Sequence, residues 1–154
     1  MAQVVDIQRV LEHDIYTPEN AQIEQWIAAS LDHYGKEAEV CIRIVENDEM
    51  IALNHQYRGK NKTTNVLSFP TDFPEELELP LLGDVIICAD VVAREAMEQG
   101  KTPEAHWAHM VVHGMLHLLG YDHIEDTEAN VMEKLETDIL LRLHYPAPYI
   151  EEDD

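Results

Sequence analysis

The spacing of apolar residues along this chain switches repeatedly between a period of two and a period near 3.6, and the switches divide it into nine elements. Val4 to Val10 reads as a first strand. Thr17 followed by Pro18 is an N-cap and first-turn pair, predicting a helix that runs to about Tyr34 and stops at Gly35. Val40, Ile42 and Ile44 alternate with Cys41, Arg43 and Val45 as a second strand, after which Asn47 caps a short helix reaching about Gln56. Asn65 to Pro70 is a short strand, and its closing proline assigns it to an edge of the sheet. Thr71 to Leu82, rich in proline and acid, reads as a long surface loop. Gly83 to Cys88 is more continuously apolar and therefore more central. A helix from about Asp90 to Gln99 precedes Gly100, Thr102 and Pro103 open another that Gly120 ends, and Asp126 can cap a last one to about Leu143. Four strands and five helices in mixed order predict an α+β sandwich with a mixed sheet.

The helix before Gly120 differs from the others. From Ala105 to Leu119 it is apolar on nearly every side, which marks it as central and buried, yet it carries His113 and His117. Histidines four apart share a helix face, and a glycine three residues after the second lets the chain turn back, so that His123 can join them. Three neutral imidazoles leave a tetrahedral zinc one open position, the arrangement of a catalytic site. The expectation is one zinc ion per chain on His113, His117 and His123, at the end of the buried helix. His109 continues the same stripe but stands about 12 Å along the axis from His117, so it is expected to support or pack rather than share the ion. His106 is a weaker candidate for the same role.

Composition constrains the function. Residues 1–150 read as one domain and 151–154 as an acidic tail. No apolar run has membrane-spanning length and the first residues do not resemble an export signal, so a cytoplasmic protein is expected, without a membrane partner. Cys41 and Cys88 sit in strand-like apolar runs, and neither a disulfide nor a metal role is expected of them. The net charge of −21, from 31 acidic and 10 basic residues, opposes indiscriminate binding of nucleic acid. Against it stand Arg58, Lys60 and Lys62, a local positive island that can receive phosphates or be a solvated turn.

Two resemblances follow. His113 to His123 is similar to the metzincin protease signature in its histidines and glycine, but Gly114 stands where those enzymes keep a glutamate base. Four segments in order, Tyr57 to Lys60, Thr64 to Pro70, Leu82 to Cys88 and His113 to His123, resemble the bacterial YbeY family of rRNA maturation factors. That resemblance implies a zincin-like α+β domain and a zinc-dependent, single-strand-specific endoribonuclease acting in ribosomal RNA processing and ribosome quality control. It also implies single-stranded RNA, the small ribosomal subunit and its assembly factors as partners. The family's zinc ligands fall on His113, His117 and His123, and its required arginine on Arg58. Arg58 and His113 are thus the candidate catalytic residues, with Arg58, Lys60 and Lys62 binding substrate. Phe69 can stack a base or fill the strand's core, and Asp122, Asp84 and His109 are all candidate proton handlers, among which spacing does not choose. A zinc hydrolase acting on another substrate and a non-enzymatic, metal-stabilised assembly factor are the alternatives.

Overall fold

Val40, Ile42 and Ile44 turn every second side chain of β2 (Ala38–Val45) into the core, each at most 3% exposed, and the sheet grows outward from this strand. β1 (Gln3–Arg9) and β4 (Leu81–Cys88) flank it in parallel, and β3 (Val66–Pro70) pairs antiparallel with β4, giving the order β1-β2-β4-β3. The computed structural model describes residues 3–149 except 33, 72, 74–76, 78 and 122–125. Among them the mixed four-stranded sheet and five helices match the predicted α+β class. β3 is an edge strand, as its proline required, and β4 is central.

One face of the sheet is covered by α1 (Asn20–Ser30) and α4 (Pro103–Leu118), whose Ile23, Trp26, Trp107 and Val111 join the main core. α2 (Asn47–Arg58) and α3 (Ala89–Glu98) supply Met50 and Val91 to a smaller cluster on the other face, with Leu67 and Ile86. α5 (Asp126–Arg142) packs against α4. Among the described residues no helix is long and apolar enough to cross a membrane. Cys41 and Cys88 are free thiols.

Several boundaries move for tertiary reasons. Thr17 does not cap α1: its hydroxyl accepts from Arg9 Nε at 3.2 Å, and the helix opens after Glu19, whose N–H donates to Gln22 Oε1 at 2.9 Å. α1 stops at Ser30, and beyond it the Tyr34 N–H donates to Leu31 O at 2.8 Å. Asn47 is the first residue of α2 rather than its cap, because Asp90 of α3 accepts the Asn47 N–H at 2.9 Å. The expected surface loop loses Leu81 and Leu82 to β4, where Leu81 pairs with Glu39. Thr102 does cap α4, accepting from Ala105 N–H at 3.2 Å with Pro103 in the first turn. At the other end Gly120 takes φ +101°, and the bonds Gly120 N–H to His117 O and Tyr121 N–H to Leu116 O close a Schellman turn. The side chain of Asp126, expected to cap α5, lies outside the described residues.

α4 approaches the sheet closely at Gly114. A Cβ there would meet Val85 Cγ1 at 2.5 Å, and the Gly114 carbonyl accepts from Ser68 Oγ at 3.0 Å. Helix and edge strand are therefore fastened at the turn between His113 and His117. Gly114→Ala gains about 1 kcal/mol of helix propensity but overpacks the interface by about 1–3 kcal/mol. A lowered thermal midpoint on calorimetry is expected; an unchanged or raised midpoint would show that the contact is slack.

Candidate metal centre and cleft

Between His106 and Leu118 every residue of α4 is buried except His113 and His117, which are half-buried and look out of the core. Their Nε2 atoms face each other at 3.2 Å. Two corners of a tetrahedron with ligand distances of about 2.0–2.1 Å lie about 3.3 Å apart, so the pair is spaced as two ligands of one ion are spaced. His123, the third expected ligand, lies outside the described residues, as does Asp122.

α5 contributes a group that periodicity did not single out. Glu136 is fully buried, and its carboxylate accepts from His109 Nε2 at 3.0 Å, from His113 Nδ1 and from the Tyr149 hydroxyl. Burial pushes its pKa up, but the hydrogen bonds from His109 and His113 outweigh it and hold the carboxyl at about 2. Burial also lowers the pKa of His109, which stays neutral, spends its one N–H on Glu136 and leaves Nδ1 buried without a hydrogen-bond partner. His113 likewise donates through Nδ1, which directs its Nε2 lone pair toward His117.

Donor atoms of His109, His113 and Glu136 all lie within 4.8 Å of one another, so this buried group could hold a metal ion. Two chemistries are open to it: direct ligation by all three, or ligation through His113 Nε2 with Glu136 as orienting carboxylate. Direct ligation through the nitrogens that now donate to Glu136 would break both histidine–carboxylate hydrogen bonds. Orientation keeps them, and matches the carboxylate–histidine–metal arrangement of metalloenzymes. His106 belongs to a separate pair, with Nε2 2.9 Å from Glu95 Oε1, and Glu95 is in turn bonded to Asn65 Nδ2.

A cleft of about 850 Å³ opens over the outward-facing histidines. Its walls are the edge strand β3, His113 and His117, Gly120 and Tyr121, and the end of α2 at Tyr57 and Arg58. Arg58 is the last residue of α2 and exposed; Gly59, at φ +69°, ends the helix, and Asn54 Nδ2 fastens the following loop through Lys62 O at 2.8 Å. Arg58, Lys60 and Lys62 have no acidic partner among the described residues. Lys60 and Lys62 do not line this cleft. They line an adjoining polar pocket of about 250 Å³ with Arg94, and the two spaces share Arg58, Thr64 and Asn65.

Phe69 packs on the smaller core cluster, the packing role expected of it, and also stands edge-on to the exposed Tyr57, centroids 5.0 Å apart. Asp84 is not at the centre. It alternates with Val85, which packs against Gly114, and so points to the opposite face of the sheet.

A family model described as Endoribonuclease YbeY matches residues 9–144. The chain belongs to that family. Its membership makes the protein a nuclease acting on RNA. The chain is also similar to the solution structure of TM1509 from Thermotoga maritima, at 23% identity and a TM-score of 0.61, over 98% of this chain and 99% of that one, a likeness that shows the fold. In this YbeY-family chain the signature around the histidines was legible in sequence. Glu136 and Arg94 were not, because each is brought in by an element distant along the chain.

Glu136→Gln keeps the shape but presents an NH2 where a buried histidine donor expects an acceptor. Loss of about 1–3 kcal/mol in stability is expected from the unsatisfied donor, with metal affinity weakened roughly 10- to 100-fold. Chemical denaturation and metal titration of the purified variant check both; unchanged metal affinity would remove Glu136 from the centre.

Proposed function

We propose that the chain is a zinc-dependent, single-strand-specific endoribonuclease that processes ribosomal RNA, acting in small-subunit rRNA maturation and ribosome quality control in the cytoplasm, alongside the small subunit and its assembly factors. The observation that carries this reading is the single cleft walled by Arg58, the edge strand and the outward-facing pair His113 and His117. In this reading His113, His117 and His123 hold one zinc ion. When bound, zinc supplies either polarisation of a phosphoryl oxygen or a water of lowered pKa.

The remaining work falls to the chain. Arg58 offers a planar pair of donors to two phosphate oxygens, and among the described residues no carboxylate pairs with it. Lys60 and Lys62 extend the positive field along the adjoining pocket, where Arg94 is paired with Glu98 at 3.7 Å, giving sequence-blind attraction to the RNA backbone. Elsewhere the acidic body repels polyanions, which confines RNA to this side of the molecule. Tyr57 and Phe69 present aromatic surface on the cleft wall, suited to an unstacked base and therefore to single strands. Glu136 keeps His113 in the tautomer that points Nε2 into the cleft.

Gly114 separates this reading from peptide hydrolysis. A glutamate there would have to occupy the space of Val85, so the position cannot carry the protease base. Casein and short peptides should remain intact under conditions where single-stranded RNA is cut; chelator-sensitive peptide turnover by rigorously purified protein would reject the nuclease reading.

Labelled single-stranded RNA should be cleaved and duplex of the same sequence spared, with activity lost to a chelator and restored by zinc. Arg58→Glu should lower the cleavage rate about 10²- to 10³-fold at unchanged zinc content, and Arg58→Lys should recover only part of it. Stability should shift by roughly 0.5 kcal/mol or less, because Arg58 is exposed. Equal rates for wild type and Arg58→Glu at matched zinc occupancy would remove Arg58 from the substrate site.

A further inference from the structure

We infer that Tyr149 is a positioning residue of the metal centre: its hydroxyl, delivered by the segment after α5, clamps the Glu136 carboxylate whose other oxygen orients His113. The inference rests on the reading of His113 as a metal ligand. Two geometric observations and the chemistry of the phenol support it.

The first is how the carboxylate is shared. Glu136 Oε1 accepts from His113, while Oε2 accepts from both His109 and Tyr149. The terminal torsion of a glutamate is soft, with a broad, roughly two-fold profile. A carboxylate held at Oε2 by α4 and by the following segment, from two directions, cannot rotate without giving up two buried hydrogen bonds. Its Oε1 is thereby kept facing His113 Nδ1, and the direction of the Nε2 lone pair follows.

The second is how the hydroxyl is delivered. Pro148 is buried, anchoring the chain one residue before the tyrosine. The Tyr149 ring stands edge-on to His109, with centroids 5.3 Å apart and planes at 86°. Anchor and ring contact fix the phenol on both sides of its one polar bond, although the ring itself remains partly exposed.

The third is the chemistry of the group. Burial and the neighbouring carboxylate raise the tyrosine pKa far above its ordinary value, so the hydroxyl keeps its proton and remains a donor. Phenylalanine would serve equally well for packing alone. Only the oxygen distinguishes a positioning role.

Tyr149→Phe therefore tests the oxygen, and its readouts are taken on metal binding before any RNA is added. Zinc affinity, measured by competition with a chromophoric chelator, should fall about 3- to 10-fold, less than the roughly 10- to 100-fold typical of a direct partner of a ligand. The visible spectrum of the cobalt(II)-loaded variant should shift from wild type. At saturating zinc, kcat for single-stranded RNA should fall while KM holds. In a Glu136→Gln background the Tyr149→Phe change should cost no further affinity. Wild-type affinity and an unaltered cobalt spectrum in Tyr149→Phe would overturn the inference while leaving the metal centre intact, and so would an equal loss with Glu136 already replaced. Absence of stoichiometric metal in the wild type would overturn both readings. If the double variant proves too unstable to purify, the cobalt spectrum of Tyr149→Phe alone decides.

Discussion

A single buried carboxylate holds the histidine-bearing end of this protein together. Burying an ionised glutamate without partners costs several kcal/mol, so Glu136 can be fully enclosed only because three donors converge on it. The donors come from two turns of α4 and from the segment beyond α5, so satisfying one charge docks α5 on α4, seats Tyr149 and sets the rotation of His113. The same constraint explains why a helix buried on nearly every side tolerates His109. Kept neutral by burial, it places its single N–H where the carboxylate needs it.

The close approach at Gly114 complements that arrangement from the opposite side of α4. With no side chain at 114, Val85 reaches the helix backbone and Ser68 reaches its carbonyl, so the edge strand lies directly beside His113 and His117. The cleft is a consequence of this packing. β3 forms one wall because it is the edge strand, and the end of α2 forms another because Met50 and Leu53 tie that helix to the smaller core cluster. The candidate site and the packing thus share residues, and the glycine that leaves no room for a glutamate side chain is the one that permits the cleft.

Charge is organised on the same plan. A chain with 31 acidic and 10 basic residues would be expected to neutralise its cations internally, and Arg43 and Arg142 do pair with Glu49 and Asp32. Arg58, Lys60 and Lys62 make no such ion pair among the described residues, in a loop shaped by the left-handed turn at Gly59 and the Asn54 hydrogen bond to Lys62 O. The positive field they leave is local, which suits a protein that must bind one polyanion in one place.

Local signals in the chain were sufficient for the α+β class, the edge position of β3, the central position of β4, both ends of α4 and the outward pair His113 and His117. Each depends on short-range physics: strand alternation, a proline without an N–H, a threonine cap, a glycine at positive φ, and the four-residue repeat of a helix face. Caps were legible only where the chain supplied its own partner. Thr102 caps α4 as read, whereas the N–H of Asn47 goes to Asp90 and the hydroxyl of Thr17 to Arg9, partners that exist only after folding. Glu136, Arg94 and Tyr149 were illegible for the same reason. A glutamate on an acidic helix looks like a solvated residue until tertiary packing buries it against two histidines, because burial and hydrogen-bond partnership belong to pairs of elements and not to either element alone.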